Sequence, residues 1–175
     1  MKRGFLLAVL LGASSAGLAC TEKGAFGAEF GKPVPANASA DAYDYGLGTD
    51  GRGCFTATAP APYKRFGKYG YCANRSDKVV FAVDAYRTII DPSQMKEENP
   101  AWEKAANDAR AEILGIKKDW EKKYGLTFKM HGTLGLVWSA ETPAVQAVIA
   151  VQGAELHVKC VNRALEAKSM SATKP

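Results

Sequence analysis

The chain has only two histidines, His131 and His157, and it lacks Cys-x-x-Cys, Gly-x-Ser-x-Gly and any residue in the setting of an activated nucleophile. Thiols at that spacing hold zinc or form a redox dithiol, and the serine motif puts a hydrolase nucleophile on a strand-to-helix turn. Neither chemistry has a local signature here. After residue 24 every apolar run is broken by charge or glycine well short of the roughly 20 residues that a membrane-spanning helix needs. Charge of one sign is scarce too. With 23 basic and 18 acidic residues the formal charge is +5, and without Lys2 and Arg3 the balance is 21 against 18, or +3. A nucleic-acid surface requires a dense basic stripe, so nucleic acid is not an expected partner.

What is present suits one globular domain. The 175 residues, 47% hydrophobic and 23% charged, fit a single core. Lys2 and Arg3, the apolar stretch from Phe5 to Leu11 and the small residues from Gly12 to Ala19 follow the layout of a secretory signal peptide over 1–19. The run Gly17-Leu18-Ala19-Cys20 resembles the lipobox of bacterial lipoprotein precursors, with Leu one place late. The resemblance implies that the Cys20 thiol is acylated and anchors the protein to a membrane. Ordinary cleavage after Ala19 or Ala28, giving a soluble product, is the alternative.

Export to an oxidising compartment makes cysteine pairing the default. Cys54 and Cys72 lie equally far from Tyr63, the centre of a Pro-rich loop between two strand-like segments, so a hairpin would face them across its ladder as a disulfide. Cys160 shares a strand face with Leu156 and Val158 and reads as a buried free thiol. Should Cys20 not be acylated, a Cys20 to Cys160 bridge is open.

Residues 20–53 read as a tether and a Gly/Pro-rich loop, with Phe26 and Phe30 in AFGAEFG as anchors that dock on the domain. From 54 to 168 the pattern is a single α+β domain, followed by a frayed tail at 169–175. Alternation in VVFAVDAYR after Asn-Arg-Ser-Asp makes 68–87 a second hairpin. Asn99 and Pro100 open a long helix whose stripe runs through Trp102, Ala106, Ala109, Ile113, Ile116, Trp120 and Tyr124, and Gly125 ends it. More strands follow, and Gly153-Ala154 joins the last two. The expected fold is about six antiparallel strands, β-β-β-α-β-β-β, with one long amphipathic helix on one face.

The glycines at 46–51 spell a dinucleotide fingerprint, but no strand precedes them and no helix follows to aim N–H groups at a pyrophosphate. Asp41, Asp44 and Asp50 lack the spacing of a calcium loop. No metal or cofactor is expected. His157, between Glu155 and Lys159 in sequence, reads as a surface imidazole, as does His131. The segment YKRFGKYGYC interleaves aromatics and cations at a hairpin tip. Tyr63, Lys64, Arg65, Lys68 and Tyr69 are therefore candidate partner-binding residues, against the reading that the rings turn inward.

The repeated Phe-Gly of residues 25–31, the run from Pro60 through Phe66 to Tyr69, a Val/Ala-rich strand and a helix ending Lys-Tyr-Gly together resemble a class of small exported bacterial proteins. That resemblance implies the fold and an envelope location and carries no catalytic residue. The expectation is a non-enzymatic envelope protein that binds a protein or cell-wall partner, with an inhibitor or immunity role as one form. The alternatives are a small hydrolase with a carboxylate/His site, in which Glu155, His157 and His131 or two carboxylates converge, and a self-associating subunit of a surface assembly.

Overall fold

The computed structural model describes residues 20–39, 52–63, 65–74, 76–95 and 99–171. The expected signal peptide at 1–19, the loop 46–51, Asp41, Asp44, Lys64 and residues 172–175 of the expected tail lie outside the described residues.

Among the described residues the chain is α+β, with two antiparallel sheets and two helices. Strands β1 (Cys20–Thr21), β2 (Gly24–Ala25) and β3 (Ala28–Glu29) make a small three-stranded sheet. The main sheet holds β4 (Arg52–Thr56), β5 (Lys68–Asn74), β6 (Val80–Thr88), β7 (Lys129–His131), β8 (Val137–Glu141), β9 (Val145–Gln152) and β10 (Glu155–Asn162). Its order, β4-β5-β6-β10-β9-β8-β7, joins two sequential meanders through the long-range pair β6 and β10. The expected hairpins form, and the main sheet has seven strands where the pattern predicts about six, four of them after the long helix. The small second sheet and the second helix go beyond the expected single sheet and single helix.

Helix α1 (Pro100–Tyr124) starts where the sequence places it: the Asn99 side chain accepts from the Ala101 N–H, and Gly125 closes the helix in the left-handed region at φ 64°. The stripe from Ala106 to Trp120 is buried against one face of the sheet, where Tyr69, Tyr71, Val83, Ala85, Ile149, Leu156, Val158 and Cys160 join it in the main core. Trp120 fills the centre, with the rings of Tyr124 and Phe128 about it. The opposite face has a smaller core of Cys54, Cys72, Phe81, Ala82 and Val161, capped by Leu165 of helix α2 (Arg163–Ser171). Ser169 of α2 is buried and donates to the Asn74 side chain at 2.5 Å, so the tail reading of 169–171 is corrected.

Residues 20–39 are not a tether. Phe26 is fully buried and meets Tyr69 edge to face at 5.6 Å, while its carbonyl accepts from the Ala61 N–H at 3.0 Å. Farther on, Pro33 and Ser39 bridge to Val79 and Thr56. The Phe-Gly anchor works because the turn at Phe26 and Gly27 is left-handed at both positions, φ 53° and 79°.

Candidate functional site

Both cysteine pairs are disulfides, one on each face of the main sheet. Cys54 and Cys72 are direct cross-strand neighbours of β4 and β5, as the hairpin symmetry predicts. Cys20 is joined to Cys160, 140 residues away. This corrects two expectations. Cys160 is not a free thiol, and a Cys20 sulfur that is bonded to another sulfur is not available for acylation. Disulfides of this kind belong to a protein outside the reducing cytoplasm. No helix among the described residues is long and apolar enough to cross a membrane.

The hairpin segment turns its rings inward. Tyr69 and Phe66 are buried, and Tyr63 is half-buried and stacked on Phe66 at 5.7 Å. The Tyr69 hydroxyl accepts from the Tyr63 N–H at 2.6 Å, which closes the turn. Tyr69 is thus a core residue and not a contact surface, because its strand position puts it on the α1 side, opposite Ala85. Among the described residues of the segment Arg65 and Lys68 keep exposed charge, and both are engaged: Arg65 stands 3.8 Å from Glu112, which also pairs with Arg87, and Lys68 lies 3.3 Å from Glu155.

Burial has an electrostatic consequence at this hairpin. The Tyr71 phenol, which donates to the Thr58 carbonyl at 3.2 Å, is pushed up to about 12 by burial and then by neighbouring Tyr69. Tyr69 is raised by burial, against the opposing hydrogen bond with Tyr63. The unfolded chain releases these protons near the ordinary tyrosine value of about 10 while the fold retains them, so the unfolded state binds fewer protons above that pH. Stability should be fully present below about pH 10 and fall by on the order of 2 kcal/mol by pH 12. Urea unfolding across that range checks it. Replacing Tyr71 by Phe should flatten most of the slope, and an unchanged slope would refute the assignment.

The sheet face opposite α1 carries the polar residues. On it Asp84 is opposite Lys159 and Gly70, and Tyr86 is opposite His157 and Lys68. His157 Nδ1–H donates to Asp84 Oδ2 at 3.0 Å, and its Nε2 lies 3.6 Å from Glu155 Oε2. The Tyr86 ring stacks on the imidazole at 5.3 Å, and the Lys68 ammonium sits over the Tyr86 ring, 5.6 Å from its centroid. Asp84 and His157 are 1% and 3% exposed, and Asp84 Oδ1 has no hydrogen-bond partner among the described residues. The surface imidazole expected at 157 is therefore an interior one. Its strand, β10, is flanked by β6 and β9, and a central strand buries residues that alternation alone would leave at the surface.

Chemically this is an imidazole held between two carboxylates, an arrangement that fixes a tautomer and an orientation. His131 does not join it. The two histidines share a face and a cross-strand row, His157, Ala150, Val137, His131, but three strand spacings of about 4.8 Å put them roughly 14 Å apart. His131 is exposed and its Nε2 lies 2.6 Å from Ser139 Oγ, with no carboxylate against its ring among the described residues. Sequence reading missed Asp84, whose signal was a lone carboxylate inside an apolar strand, VFAVDAYR. No family model, curated protein or solved structure matches this chain.

Proposed function

We propose that the protein is exported to the bacterial cell envelope, released from its signal peptide as a soluble, disulfide-stapled domain, and acts there by binding a protein or cell-wall partner. The observation that carries this reading is the Cys20 to Cys160 bridge: the residue directly after the small-residue run is tied into the centre of the main sheet. Oxidative folding supports export, and use of the Cys20 sulfur in that bridge supports a diffusible product over a lipid-anchored one. The closed Asp84 and His157 pair, together with its distance from His131, favours binding over hydrolysis at these residues.

The test is the intact mass of the mature protein from an envelope fraction, alkylated before and after reduction. The expected result is an unmodified N-terminus at Cys20 with two reducible pairs. An added diacylglycerol, or four thiols that alkylate without reduction, would overturn it. Hydrolytic turnover lost on His157→Gln, with the variant still folded, would overturn the binding reading.

A further inference from the structure

Three of the large apolar side chains exposed among the described residues gather at one end of the sheet. They are Leu114 of α1 at 47%, Met130 of β7 at 48% and Leu134 in the following turn at 67%. They are brought together by specific contacts. The Arg110 guanidinium donates to the Leu134 carbonyl at 2.9 Å, one helical turn before Leu114. Met130 is directly opposite Trp138, whose indole donates to the Gly135 carbonyl at 3.0 Å and lies under the Lys117 ammonium at 5.2 Å. Half-buried Trp138 thus stands between the strand edge and the helix, with apolar surface on both sides.

β7 is the last strand of the sheet, and no backbone group among the described residues pairs with its outer edge. An edge of unpaired N–H and C=O groups beside an aromatic anchor can take another extended chain. The two faces of β7 differ. Met130 points to the α1 side, whereas Lys129 and His131 point to the other side, in register with Ser139 and Val137. A strand laid along this edge would meet Met130 and Leu134 with one set of alternate residues and Lys129 with the other. Around the patch the helix adds Arg110, Lys117 and Lys118. Its one carboxylate there, Glu121, is already held by Lys117 at 2.9 Å and by the Phe128 N–H.

We infer that the outer edge of β7 is the docking surface for an extended partner segment of alternating acidic and apolar residues, which adds as an eighth strand. This rests on the binding reading above and moves its contact surface from the hairpin tip to the opposite end of the sheet. Charge complementarity selects the occupant: two copies joined edge to edge would bring Lys129 and the basic helix rim of one against the same groups of the other, while an acidic strand meets them favourably.

The probe is a dye-labelled octapeptide of alternating Glu and Val, with a Lys and Val octapeptide as control, read by fluorescence anisotropy on the oxidised protein. Saturable binding of the acidic peptide alone, weakening with salt and shifting the amide resonances of residues 129–131, is expected. Leu134→Glu should weaken it at least tenfold, and Lys129→Glu should weaken it while admitting the basic peptide, both variants melting like the parent. Equal binding of the two peptides, binding of neither, or a concentration-dependent dimer abolished by Leu134→Glu would each overturn the proposal. Photo-crosslinkers placed at Leu134 and at Arg65 in cells separate the two readings. Crosslinking to an envelope protein from Arg65 alone refutes this surface and leaves partner binding standing, whereas silence at both refutes both.

Discussion

Replacing Cys20 and Cys160 together by serine should cost about 5 kcal/mol, more than the loss of the other bridge. The chain-entropy relation makes the effect grow with the loop closed, and this bridge closes a separation of 140 residues against 18 for Cys54 and Cys72. The same relation gives about 3 kcal/mol for the shorter pair. A domain of this size has on the order of 5–15 kcal/mol of total stability, so the double variant should lose about a third of it or more. Local structure sharpens the expectation. β1 lies against α1, β9 and β10, and the chain next turns Phe26 into the core beneath Tyr69. Without the covalent tie this segment should open at a lower free energy than the sheet, since only short strands and one ring hold it. Urea unfolding of each serine pair, with the other bridge intact, gives the ranking, and hydrogen exchange at residues 20–31 gives the local opening. A larger loss for the Cys54 and Cys72 pair, or a loss below about 1 kcal/mol for the long bridge, would show that native-state strain or residual unfolded structure governs instead.

The same bridge shows where sequence reading stops. α1 is legible because all its signals are local: the Asn99 cap, Pro100 at the first helical position, the apolar stripe and Gly125 are written within one segment. The hairpin of β4 and β5 is legible for a similar reason, since its two cysteines are symmetric about the loop that joins the strands. Cys20 is different. Its neighbours in sequence are the small residues of a lipobox-like run, and nothing among them encodes Cys160. That partner is supplied by the adjacency of β10 to β6 and by the packing of β1 on the helix side of the sheet, both long-range facts. The hairpin tip fails as a contact surface on the same grounds. Alternation says that Tyr69 and Lys68 point to opposite sides, but only the position of α1 says which side is inside. Likewise His157 reads as polar and exposed until β6 and β9 are placed on either side of its strand.

Asp84→Ala should lose about 3–5 kcal/mol, because it leaves the His157 imidazole buried beside Tyr86 without the carboxylate that accepts its proton. His157→Ala should cost a comparable amount, stranding a carboxylate that already has one oxygen without a hydrogen-bond partner among the described residues. Converting both sites to apolar residues of similar volume, Asp84→Val with His157→Leu, should recover most of the loss and is free to exceed the parent, since no buried carboxylate or imidazole is then left to desolvate. A double-mutant cycle of Asp84→Val, His157→Leu and the two combined should therefore show strong coupling, and additive losses would show that the two residues act separately. The recovered variant answers a further question. Asp84 stands directly opposite Lys159, two residues from the Tyr86 and His157 pair on the same face, so the polar residues fix the register in which β6 meets β10. A one-residue slip would carry the carboxylate to the α1 side, into Ile149, Leu156 and Val158. With the carboxylate gone that penalty vanishes, and Val at 84 is as acceptable on one face as on the other. The apolar double variant should then be stable yet less uniquely paired, with broadened amide resonances along β6. Sharp, parent-like spectra would reduce the buried pair to a local packing choice and leave the register to the flanking apolar residues.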